Sequence, residues 1–136
     1  MIGFVLLMVG GPVQGFLVQK NFLGGLVFIW LLAALTACLQ YLGWPQFFKT
    51  VLAYGLGARL PVVLIMALAM HGSWGTHYDA IPPGFPEMGW WASFMWLGFF
   101  PQLVFWVGFT IVAGAFFGIP AASLVHRRRT AVETTP

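Results

Sequence analysis

The sequence predicts an all-α polytopic membrane protein, a bundle of about four transmembrane helices with a short interfacial helix before the last. Three observations carry this. Charged residues make up only 7% of the chain and hydrophobic residues 60%, with a mean hydropathy of +0.90, whereas soluble domains are about 25% charged. A water-facing surface cannot be built from six basic and three acidic side chains, but hydrocarbon needs none. Four apolar stretches of spanning length follow one another, divided by polar or helix-breaking residues. Half of the basic residues gather in one tripeptide, Arg127, Arg128 and Arg129, directly after the last stretch. That placement is a topology signal, not the spread basic surface of a nucleic-acid binder, so no nucleic-acid partner is expected.

The first span covers about residues 2–19 and is closed by "QKN". It lacks a positive leader and an A-x-A-like cleavage site, so it is expected to be a retained helix and not a signal peptide. Pro12 should bend it. Gly11 and Gly15 form a short small-residue face suited to helix packing. The second span, about residues 22–43, is uninterrupted. Some 22 residues at about 1.5 Å each cover roughly 30 Å of hydrocarbon. Trp44-Pro45 ends it, with Trp44 suited to the membrane interface. Cys38 is the one cysteine; it has no intramolecular disulfide partner and leaves the redox compartment unread.

The third span, about residues 46–70, contains the sharpest anomaly. Arg59 stands near its middle, where an arginine costs about 2.5–3.5 kcal/mol on insertion scales. No Asp or Glu falls in any proposed span. Its partners must come from Gln14, Gln40, Gln102, Tyr54, a carbonyl freed near Pro61, a lipid phosphate, or a carboxylate on another protein. That reading makes Arg59 an anion or lipid pocket, or a subunit contact. The alternative has the chain break at Gly55 and Gly57. The true span then begins at Leu60, and Arg59 snorkels to the headgroups, at the cost of drawing His71 toward the membrane.

Residues 71–89 form the main polar loop. His71, His77, Asp79 and Glu87 are candidate ligands for zinc, and Met70 or Met88 would add a soft ligand for copper. The spacing H-x5-H-x-D matches no compact metal motif. The competing reading is loop chemistry, in which Asp79 and Pro82-Pro83-Gly84 make turns. A haem on His71 lacks a second axial histidine within the membrane. No cofactor is therefore predicted; metal or haem on this loop is the lesser alternative.

Residues 87–99 read as the short interfacial helix. Pro86 and Glu87 suit its first turn, Phe100-Pro101 its end, and Trp90, Trp91 and Trp96 the headgroup layer. The competing reading is one long kinked helix beginning near residue 90. The last span covers about residues 102–124. Gly114, Gly118 and Ala122 recur every four residues, a face for packing within the bundle or between chains. Residues 126–136 form a basic tail. His126 and Arg127–Arg129 act as a stop-transfer signal or draw anionic lipid at about 1 kcal/mol per basic residue. The polar end "TAVETTP" is expected to be disordered.

The arginines place the C-terminus in the cytoplasm, and four spans return the N-terminus there. Lys49 then lies inside and the loop at 71–89, free of Lys and Arg, lies outside. Lys20 is the exception. A faint echo links "YLGWPQFF" at 41–48 to "WLGFFPQLVF" at 96–105. It fits either an inverted repeat or the ordinary residues of membrane helix starts.

No GxSxG, phosphate loop or nucleophile–base pair occurs, and Ser73, Thr76 and His77 are close in sequence without forming a triad. The expectation is a non-enzymatic component of the cell membrane. Foremost is an accessory or structural component of a membrane assembly, with the bilayer and a membrane protein or second copy as partners. A small-solute transporter or channel using Arg59 is the alternative, and a metal or haem protein using the 70–91 loop the third.

Overall fold

The computed structural model describes the backbone of residues 2–133 and the side chains of residues 2–123. Three helices open the chain: α1 (Ile2–Lys20), α2 (Phe22–Gly43) and α3 (Pro45–Gly72). The fourth helix is continuous but changes pitch. It is α-helical over Trp90–Phe94 (α4), π-helical over Met95–Phe99 and Pro101–Trp106, and α-helical again over Val107–Glu133 (α5). Among the described residues, four helices are thus long and apolar enough to cross a membrane: α1, α2, α3 and the run Trp90–Ser123. The molecule is an all-α polytopic bundle.

Local chemistry sets the boundaries. Asn21 caps α2, its side chain accepting the Gly24 N–H at 3.0 Å, the usual way an N-terminal orphan donor is satisfied. Trp44 leaves the helical conformation (φ −153°, ψ 81°), and Pro45 occupies the first turn of α3, where its missing N–H costs nothing. Ser73 ends α3 in a left-handed conformation. Pro12, Pro61 and Pro120 lie inside helices, as membrane helices tolerate.

Two sequence expectations are corrected here. The helix before the last span does not stand alone from 87 to 99. It begins at Trp90 and runs into α5, which is the long-helix alternative. The reason is Pro101, read as a stop. Proline removes one donor and crowds the carbonyl four residues back. Widening the helix accommodates this, and the Phe100 N–H bonds the Met95 carbonyl five residues back. The end of the chain also differs: α5 continues to Glu133, so residues 130–133 of "TAVETTP" are helical. Arg127–Arg129 lead into it and Ala131 and Glu133 lie in it, all good helix formers. The last three residues lie outside the described part.

The helices run alternately up and down. α1 and α2 form a tight hairpin in which a Cβ on Gly25 would stand 2.8 Å from the Val18 backbone nitrogen. α2 meets α5 where Gly108 lies against the Ala33 carbonyl. α3 packs on the fourth helix with Gly55 facing Val107, Gly98 facing Met66, and Gly114 and Gly118 facing Phe47. Leu7, Ile29, Trp30, Ala33 and Val112 fill the centre, with Trp30 against Trp96 and Phe100 at 5.2 and 5.3 Å between ring centroids. The buried Thr36 hydroxyl donates to the Leu32 and Ala33 carbonyls at 2.9 and 3.0 Å. Its polarity is thereby satisfied within its own helix.

Candidate functional site around Arg59

α3 passes through Gly55 and Gly57 without a break. The alternative in which the helix restarts at Leu60 is not what the backbone does. Arg59 therefore stands midway along a 28-residue helix, about 20 Å from either end at about 1.5 Å per residue.

The fourth helix supplies its neighbours. Arg59 Nη1 donates to Gln102 Oε1 at 3.3 Å, and Gln102 Nε2 reaches Met66 Sδ at 3.8 Å. The guanidinium carbon lies 4.9 Å from the centroid of the Trp106 ring, a cation–π distance. Gln102 and Trp106 are four residues apart and project from one side of the helix toward α3. Both belong to the π-helical turn after Pro101. Of the partners weighed from sequence, Gln102 is the one engaged. Gln40 lines a groove at the other end of α2, and Tyr54 is exposed. Trp106 and Met66 were missed. Their signal, an aromatic one turn after Gln102, carries no weight until the facing helix is known.

Arginine has five N–H donors, and one of them is matched here. Arg59 is half-buried, and among the described residues no fully buried side-chain nitrogen or oxygen lacks a partner. The remaining donors are thus not fully sealed from the surface of the bundle. A planar fork of this kind suits bidentate binding of a carboxylate or phosphate. None of the three acidic residues, Asp79, Glu87 and Glu133, lies within a span.

The loop residues serve their own fold. Asp79 accepts the Gly75 and Thr76 N–H groups at 2.8 and 2.6 Å and the Thr76 hydroxyl at 2.8 Å. The Thr76 hydroxyl chiefly holds the carboxyl below its ordinary value; partial burial opposes this, and the two N–H groups add to it. His71 packs edge-on to Trp90 at 4.8 Å and His77 lies beside Tyr78 at 5.9 Å. Glu87 is exposed. Among the described residues no three His, Cys, Asp or Glu side chains come together as a metal set. Met70, Met88 and Asp79 line one small cavity of about 240 Å³, which His71 and His77 do not line.

The packing glycines divide. Gly114 and Gly118 are used within the bundle, against α3. Gly11 and Gly15 have nothing within 4 Å of an added Cβ. Ala122 lines an open groove of about 510 Å³ with Gln40, Gly43 and Trp44. Trp44, Trp90 and Trp91 are exposed at the ends of helices. Trp96 is not: it turns inward onto Trp30. At about 100° per residue it falls well round the helix from Trp90 and Trp91. His126 and Arg127–Arg129 continue α5, and their side chains lie outside the described residues.

These features define a small multi-pass membrane protein, four apolar helices with one half-buried arginine held between α3 and the fourth helix. Compared with known proteins, the chain matches no family model, no curated sequence and no solved structure.

Proposed function

We propose that the protein is an accessory component of a larger membrane assembly, without catalysis of its own, placed in the cell membrane with both termini in the cytoplasm. One observation carries the reading. Arg59 stands at mid-height in an apolar helix, half-buried and partly hydrogen-bonded, with no carboxylate in any span to neutralise it. An arginine so placed is costly, and an intramembrane charge marks a functional site with a partner by default; no carboxylate of this chain's spans supplies that partner. The lack of a catalytic motif and the open small-residue positions Gly11 and Gly15 support the same reading. The test is purification from native membranes in mild detergent, followed by mass measurement of the intact particle. A stable particle containing further polypeptide is expected. A monodisperse single copy across detergents would sink the proposal.

A second reading is transport of a small anionic solute. It rests on the π-helical turn that carries Gln102 and Trp106 to Arg59, because such turns recur at functional sites. Flux into liposomes should then fall on Arg59→Gln, and unchanged flux would remove the reading.

A further inference from the structure

We infer that the groove between α2 and α5 binds one anionic phospholipid, with an acyl chain in its inner part and the phosphate at its mouth, level with Ser123 and Arg127.

The groove follows from how the two helices cross. They approach closely where Gly108 lies against Ala33. About one to two turns further on, a pocket of about 390 Å³ opens between α1, α2 and α5. Phe4, Leu39 and Val112 wall it, together with Thr36. The Thr36 hydroxyl donates within its own helix, so this inner part asks for apolar contact. Next along α2 comes the groove of about 510 Å³, with Gly43 and Trp44 on one wall and Ile119, Ala122 and Ser123 on the other. Gln40 lines both parts, so they adjoin along one seam. Each is of the size of small-molecule sites, about 300–1,000 Å³.

Polarity rises along the same seam. The Gln40 amide and the Trp44 indole bring hydrogen-bond donors to the outer part. Beyond it the apolar sequence stops at Val125, and His126, Arg127, Arg128 and Arg129 follow. The α5 backbone runs on to Glu133. At about 3.6 residues per turn, the face that carries Ile119, Ala122 and Ser123 continues with His126 and Arg127. Asp79 and Glu87 follow the far end of α3, and Glu133 stands well over a turn past Arg127.

Apolar walls, then neutral donors, then guanidinium groups match an acyl chain, a glycerol ester and a phosphate in that order. Guanidinium forks suit phosphate oxygens. A free anion makes no use of the apolar inner part. A helix about 10–12 Å across fills more than the inner volume in one turn, so the inner part admits a chain and not a partner helix.

The experiment reconstitutes the full chain in nanodiscs of mixed phosphatidylcholine and phosphatidylglycerol. Lipid retained on the released protein is counted by native mass spectrometry. One phosphatidylglycerol should be retained, enriched at least fivefold over its share of the nanodisc. Gly43→Leu and Ala122→Leu narrow the groove from opposite walls and leave every charge in place. Both positions are exposed, and nothing lies within 4 Å of a Cβ added to Gly43, so both variants should keep wild-type protease resistance. Each should lower retention at least fivefold. Arg127→Gln should abolish the preference for phosphatidylglycerol. Lys49→Gln, a basic residue at the same end of the bundle but not in the groove wall, should change nothing. Unchanged retention in the folded groove-filling variants would overturn the inference. So would an equal loss in Lys49→Gln, which marks diffuse attraction to basic residues, or equal retention of phosphatidylcholine. Displacement of the lipid by inorganic phosphate would show a free-anion site and overturn it too.

Discussion

Gly108→Ala tests the packing on which the bundle depends. A methyl at this position would stand 2.9 Å from the Ala33 carbonyl oxygen, 3.1 Å from its carbon and 3.2 Å from the Ala33 Cβ. None of these atoms can swing aside, because two belong to the backbone and the third is fixed to it. α2 and α5 must separate by several tenths of an ångström. The separation loosens Val107, Ile111 and Val112, all nearly fully buried beside the contact. Overpacking of this kind costs about 1–3 kcal/mol. Replacing Gly by Ala within a helix returns up to about 1 kcal/mol. The net expectation is a loss of about 1–2 kcal/mol, or roughly a 5- to 30-fold fall in the folded-to-unfolded ratio. Gly11→Ala and Gly15→Ala are the matched controls, because the space around both is open. They should be neutral or slightly stabilising. Reversible unfolding in mixed micelles, titrated with a denaturing detergent, measures all three. If Gly108→Ala is as stable as wild type, or if Gly11→Ala is equally damaging, the helix contacts described above are wrong.

Thr36→Val should change stability by less than about 1 kcal/mol in the same assay, because the hydroxyl bonds only its own helix and its removal strands no partner. A loss of several kcal/mol would mean that Thr36 bonds a group on another helix. Asp79→Asn should loosen residues 73–79, seen as faster hydrogen exchange at the Gly75 and Thr76 amides; unchanged protection would show that the carboxylate does not hold the turn. The sign with pH follows from the lowered carboxyl value. A group whose folded value is depressed contributes stability above its unfolded value and loses it as pH falls through the folded one. Wild-type protection should therefore be level from pH 7 to 5 and decline below about pH 4. Protein purified without chelators should carry well under one equivalent of zinc or copper and show no Soret band. A stoichiometric metal lost on His71→Ala or His77→Ala would reinstate the metal reading.

How much was legible in the sequence depended on whether the signal was local. The second span was read as 22–43 and α2 is Phe22–Gly43. Asn21 on one side and Trp44-Pro45 on the other act within a turn of their own position. Pro101 is just as visible, yet it misled, because widening the helix past a proline depends on what holds the helix in place. Trp96 and Phe100 are clamped on Trp30 of α2, a contact no local pattern contains. Arg59 stood out as a composition anomaly before any fold was known. Its setting did not, since seven kinds of partner were open to it. The choice of Gln102 with Trp106 follows from the register of α3 on the fourth helix, which glycine contacts fix.

The same distinction governs the small residues, and it bears on association. Gly114 with Gly118 and Gly11 with Gly15 are the same motif in sequence. In the fold the first pair faces Phe47 within the chain, whereas the second faces open space. The motif therefore reports a capacity for close approach and says nothing about whether the partner is internal. Ala53 and Gly57 belong to the open class, as do Gly11 and Gly15. The two open faces share one limit. Lys20 apart, α1 carries no charge. On α3 the Ala53 and Gly57 positions fall well round the helix from Arg59, at about 100° per residue, because the arginine is turned onto Gln102 and Trp106 of the fourth helix. Each face therefore offers packing alone, which in lipid discriminates little between partners.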